Sequence, residues 1–247
     1  MKKVDWKIWI GILLVAVSAV VYGIHYAIFR EAHHIFIYMI GDIAFVPIEV
    51  LLVVLLVHRL LDAREKRSRL DKLNMGIGAF FGEIGTRLLT YISDLDPKLD
   101  DIRKELIVSN NWDDREFDRV ESLIKRYDYK VNIDASHLQD MRQILVEKME
   151  FLIRMFENPI LLEHENFTDL LRAVFHLADE LANRDEVTGL PDTDMAHLTG
   201  DTNRAYGWLA QMWLEYMDHL KKNYPYLFSL AMRTNPFDKN SSPVVTG

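Results

Sequence analysis

The chain has 247 residues, 49% of them hydrophobic, and a formal net charge of −8. The charge is unevenly spread: residues 1–72 carry a net of +3 and residues 73–247 a net of −11. An acidic body excludes general nucleic-acid binding, which needs cations to displace counterions from phosphates. The absence of cysteine excludes disulfides, thiolate catalysis, iron–sulfur clusters and thiolate zinc sites.

Residues 8–29 contain no formally charged side chain. At about 1.5 Å per residue such a run crosses a hydrocarbon core of about 30 Å. Lys2 and Lys3 give it a basic start, and Val17-Ser18-Ala19 has some likeness to a cleavage site. The apolar run continues well past Ala19, so the reading is a retained span rather than a cleaved signal. Residues 35–58 form a second apolar run, and the short link Arg30 to His34 makes the pair a hairpin. Lys2, Lys3 and Lys7 precede the first span, and Arg59, Arg64, Lys66, Arg67, Arg69 and Lys72 follow the second. Cations flanking both ends predict cytoplasmic termini and residence in the cytoplasmic (inner) membrane.

The second span carries Asp42 and Glu49, seven residues apart, with Pro47 between them. That spacing puts both acids on one helix face about 10 Å apart. An acid in a membrane costs about 2.5–3.5 kcal/mol on insertion scales, so each should face protein or water. The first span offers Ser18, Tyr22 and His25 at helical spacing. Either these groups line a cation path built by several hairpins, or they hydrogen-bond to one another and fix hairpin packing. Pro47 is a hinge or a tolerated kink.

Residues 59–72 read as a charged helix continuing from the second span. Four glycines follow, Gly76, Gly78, Gly82 and Gly85. No Gly-Lys-Ser/Thr follows them and no strand precedes them, which excludes a phosphate loop. Each glycine costs a helix about 1 kcal/mol relative to alanine. Close packing between subunits at a neck, a hinge, or a simple break would account for them.

The rest reads as helix. Asp96-Pro97 opens a helix to about Ser109, and Asp113 or Asp114 starts another. Asp134 caps a helix running to Asn158-Pro159. A helix from about Asn166 to Asn183 follows, then a loop at 185–192. The last long helix, about 201–222, has a seam of Tyr206, Leu209, Trp213, Tyr216 and Leu220. The tail after Pro236 is polar and aperiodic. The polar side of the 166–183 helix gathers Asp169, Arg172, His176 and Glu180, which reads first as a solvated face with i,i+4 pairs. His164, Glu215 and His219 are further groups that a bundle can bring to His176.

The expected fold is an all-α membrane protein. Its parts are a transmembrane hairpin (1–60), a helical neck (61–93), an acidic cytoplasmic helical bundle (94–233) and a disordered tail (234–247). The expected function is a homo-oligomeric pore or channel-like assembly with a cytoplasmic regulatory domain. The alternative is a membrane-anchored interaction module without transport. A third reading is a membrane-bound metal-dependent hydrolase using His176, Glu180 and a second histidine. The sequence assigns no catalytic residue, no metal-ligand set and no cofactor, and reads as a non-enzyme. The expected partners are the lipid bilayer, further copies of the chain and a protein on the bundle, but not nucleic acid.

Overall fold

A computed structural model describes residues 6–245, with the side chains of all but residues 7, 34 and 63. The orienting cations Lys2 and Lys3, the Lys7 side chain and the last two residues of the tail thus lie outside what is described. The structure is 79% helix, and no strand occurs among the described residues. It divides into two units, residues 1–66 and 67–247.

The first unit holds α1 (Trp6–Phe29) and the start of α2 (Ala32–Phe80). α1 stops at Arg30, whose φ of 55° is left-handed and whose N–H bonds back to the Tyr26 carbonyl at 2.9 Å. This is the helix-stop geometry that glycine fits best; a bulky residue there bears strain of about 1–2 kcal/mol. α2 runs unbroken through Pro47. Most apolar side chains of this unit are exposed, from Trp6 to Leu61, with Ile35 and Met39 half-buried. By length and composition, the two apolar runs beginning at Ile8 and Ile35 are sufficient to cross a membrane.

The second unit starts at residue 67 and includes most of the segment read as a neck, whose residues from Leu73 on enter its core. Leu73, Ile77, Phe80, Ile84 and Leu88 recur at steps of three and four, and all are buried. One π-helical turn, Phe81–Gly85, follows α2 and leads into α3 (Thr86–Asp94). The wide turn fits its glycine: a Cβ on Gly85 would stand 2.7 Å from the Phe80 ring and 2.8 Å from the Phe81 ring. Phe80 then meets Phe167 edge-on at 5.5 Å, and Phe81 stacks on Tyr216 at 5.4 Å.

Residues 97–109 are not the expected helix. Two short 3-10 turns, Leu99–Asp101 and Arg103–Leu106, stand there. The Asp96 carboxylate accepts the Lys98 N–H at 3.0 Å, and also the Tyr127 hydroxyl at 2.8 Å, which ties it into a turn. α4 (Asp114–Arg126) is capped by Asp113, and α5 (Ala135–Glu147) by a reciprocal Asp134–His137 box. The helix expected to run on to Asn158 breaks at Lys148, and α6 (Met149–Phe156) follows. Asn158 caps the short α7 (Pro159–Leu162).

α8 (Glu165–Ala182) and α9 (Asp192–Asn223) form the centre of the unit. α8 buries Phe167, Leu170, Leu171, Val174, Leu177 and Leu181, and α9 buries Leu198, Tyr206, Leu209, Trp213, Met217 and Leu220. α9 starts well before residue 201, with Pro191 ahead of it and Asp192 and Asp194 in its first turn. α10 (Pro225–Arg233) closes the unit. The tail expected to be disordered from residue 234 instead starts inside the core. Asn235 and Phe237 are fully buried, and the Phe237 ring meets Trp213 at 5.2 Å.

Candidate functional site

α8 places His176 and Glu180 four residues apart, one turn on a single face. α9 places His197 and Asp201 at the same spacing. Packing of the two helices brings the pairs together. His176 Nε2 lies 3.2 Å from Asp201 Oδ2, and His197 Nε2 lies 3.4 Å from the same oxygen. Glu180 faces both rings, with 3.9 Å from Oε1 to His176 Nε2 and 3.7 Å from Oε2 to His197 Nε2. The two imidazoles stand edge-on, 6.4 Å between centroids. The rings are nearly half exposed, whereas the Asp201 side chain is only 3% exposed.

Two guanidiniums frame the cluster. Arg184 donates to Glu180 Oε2 at 2.7 Å and binds both oxygens of Asp194, at 2.7 and 2.9 Å. Arg204 donates to Asp201 Oδ1 at 2.9 Å. The Arg184 hydrogen bond and charge, aided by the neighbouring imidazoles, hold the Glu180 carboxyl below its usual range. Asp194 is lowered by Arg184 in the same way. Asp201 Oδ2 is buried and makes no hydrogen bond of its own.

Half of this site is thus on the helix that the sequence singled out, and half is not. Asp169 and Arg172 pair with each other at 3.3 Å and make no described ion pair to His176 or Glu180. His164 caps α8 through Phe167 N–H and meets Glu215 at 2.9 Å, so neither joins His176. His219 lies beside Asn223 and Tyr224 instead. His197, Asp201, Arg184, Asp194 and Arg204 escaped the sequence reading. The available signal was a second His-x-x-x-acid pair, legible once α9 is started at Pro191-Asp192.

Ser18, Tyr22, Asp42 and Glu49 are exposed, and His25 is half-buried with its ring 4.8 Å from Phe29. Among the described residues, Asp42 and Glu49 make no hydrogen bond or ion pair, so neither is joined to Ser18, Tyr22 or His25. The neck glycines have partners within the chain. A Cβ on Gly76 would collide with the Leu161 side chain, and one on Gly78 would stand 2.9 Å from the Tyr216 hydroxyl. Gly82 faces open space.

An all-helical chain of two units, one with two long apolar helices and one with a closed core, is the class of protein defined here. Two family models match it: the N-terminal helical domain of MJ1433 over residues 2–61, and the C-terminal helical domain of the uncharacterized protein MJ1433 over residues 69–233. Their junction brackets the boundary between the two units. The chain is 46% identical to the uncharacterized protein MJ1433 of Methanocaldococcus jannaschii, over 94% of this chain and 93% of that one. The chain belongs to the MJ1433 family. No solved structure matches it.

Proposed function

We propose that the protein is an integral membrane protein that assembles with copies of itself through its two apolar helices and forms a pore-like polar path. Both termini and the helical body face the cytoplasm in this reading, as the flanking cations favour. The observation that carries it is the state of Asp42 and Glu49. They sit exposed on a helix whose other side chains there are apolar, and among the described residues nothing pairs with them. In a bilayer each would cost about 2.5–3.5 kcal/mol unless it faced protein or water. Neighbouring copies would give both acids a shared aqueous or hydrogen-bonded seam.

Cation flux from vesicles reconstituted with the full chain tests this. Flux that is present in the wild type and falls at least about tenfold in Asp42→Asn/Glu49→Gln supports the path. Vesicles that leak no faster than empty ones refute it.

One observation favours a second reading, a membrane-anchored module without transport. Among the described residues, every buried hydrophobic one lies at Leu73 or beyond, so the body closes its core without the first unit. A body that retains its partner when freed from the hairpin, together with silent vesicles, would select that reading.

A further inference from the structure

The α8–α9 cluster has a use that does not depend on the hairpin. The geometry points to a binding site for one divalent first-row transition metal, held by His176, Glu180, His197 and Asp201. The ion would be of the zinc type, with these four side chains completing a tetrahedral coordination sphere.

The donor set fits this class. Two imidazoles and two carboxylates suit zinc, iron, cobalt, nickel or manganese, while magnesium and calcium take oxygen ligands. The spacing fits as well. Ligand atoms at about 2.0–2.2 Å from a tetrahedral centre lie about 3.3–3.6 Å from one another. The histidine-to-carboxylate separations here are 3.2, 3.4, 3.7 and 3.9 Å. The donor atoms of His176, Glu180 and His197 all lie within 4.8 Å of one another. Asp201 Oδ2 faces both imidazole Nε2 atoms.

Asp201 supplies the independent observation. Its side chain is 3% exposed, and Oδ2 has no hydrogen bond. A buried carboxylate oxygen left without a bond costs about 1–3 kcal/mol or more. A cation between the two rings would remove that cost and would be neutralised by two carboxylates. The second shell has the form such sites use. Arg204 takes Asp201 Oδ1, leaving Oδ2 free to point inward, and Arg184 orients Glu180. The charge of Arg184 is itself met by both oxygens of Asp194. Bound by these four side chains, the ion would tie α8 to α9 across the 183–191 connection.

The competing account is a plain ion-pair cluster of imidazolium rings and carboxylates. Metal titration separates the two. Full-length protein in detergent is stripped with chelator and dialysed against zinc(II), and bound metal is measured by mass spectrometry. Cobalt(II) is titrated in parallel, because the intensity of its visible bands reports four-coordination. The expected result is one ion per chain, intense cobalt bands, and no displacement by excess magnesium. Asp201→Asn and His197→Ala should each weaken binding at least about tenfold, while Arg172→Ala leaves it unchanged. Glu180→Gln serves as a third variant if the buried Asp201 substitution fails to fold. Wild-type protein that takes up no zinc overturns the proposal without reference to any variant. So does zinc uptake that His197→Ala and Glu180→Gln leave intact, since the ion would then sit elsewhere.

Discussion

Replacing Phe237 by alanine should destabilise the body severely, although the residue lies ten positions from the end of the chain. Its side chain is fully buried, edge-on to Trp213 at 5.2 Å. Its carbonyl accepts from Arg103 at 3.1 Å, and its N–H donates to Asn235 Oδ1 at 2.9 Å. Asn235 is buried too and donates to the Leu106 carbonyl at 3.0 Å. Truncating a buried phenylalanine to alanine costs about 3–5 kcal/mol, through lost transfer energy and the cavity left behind. For a unit of this size, 1 kcal/mol moves the melting temperature by about 2–4 °C, so the expected fall is about 6–20 °C. Asn235→Ala should cost about 1–3 kcal/mol by stranding the Leu106 carbonyl. Near-UV circular dichroism of the full chain in detergent follows the transition, because Trp213 reports the site directly. Val244→Ala, at an exposed position, is the control. A Phe237→Ala melt within 2 °C of wild type would mean that the tail does not pack in solution, and the reasoning would fail.

Three further outcomes follow from the same packing. Gly76→Ala should be net destabilising by about 1–2 kcal/mol despite the better helix propensity of alanine, because its Cβ overlaps the buried Leu161 side chain. Adding Leu161→Ala should make the double variant less than additive in a denaturation cycle, and strict additivity would refute the contact. The Glu215 carboxyl is held below its usual range by the His164 hydrogen bond, so its contribution to stability is present above the unfolded value of 4.5 and is lost as pH falls through the folded one. Glu215→Gln should therefore be less stable than wild type near pH 6, where His164, itself raised by the Glu215 carboxylate, gains its proton, by no more than about 1 kcal/mol given solvent screening, with the gap closing only as pH falls through the lowered Glu215 range; a gap that keeps widening through that range contradicts the assignment. Arg30→Gly should be tolerated or stabilising, since Arg30 occupies a left-handed backbone conformation that glycine adopts without strain, and a lower melting temperature would argue against that turn.

Local signals carried local structure. Asp134 reads as a helix cap and is one, and Asp113, one of two candidates for the next helix start, is the cap there, because one side chain and the next backbone N–H groups are enough to make one; Asn158, read as a helix end, instead caps the helix that follows. Asp96-Pro97 carries the same local signal and misleads, because the Asp96 carboxylate is also taken by the Tyr127 hydroxyl from far along the chain. For the neck glycines the sequence left packing between subunits, a hinge and a simple break open. Two of them are matched within the chain by Leu161 and Tyr216, partners that no local pattern reveals. Polar composition made the tail look unstructured, and it hid one phenylalanine whose pocket is formed by a distant tryptophan. His176 and Glu180 were visible as a pair, but their meaning changes only when α9 sets His197 and Asp201 opposite. The start of α9 was the piece left out, and Pro191 followed by Asp192 and Asp194 was a legible helix-start signal.

Self-association of the apolar helices carries the functional account, and particle mass addresses it without any assumption about transport. Native mass spectrometry of the full chain, released from mild detergent, gives the number of copies. The account predicts a closed assembly of four or more chains, weakened by Asp42→Asn/Glu49→Gln. A monomer or a dimer would contradict it, because too few helices would then be present to enclose the two acids.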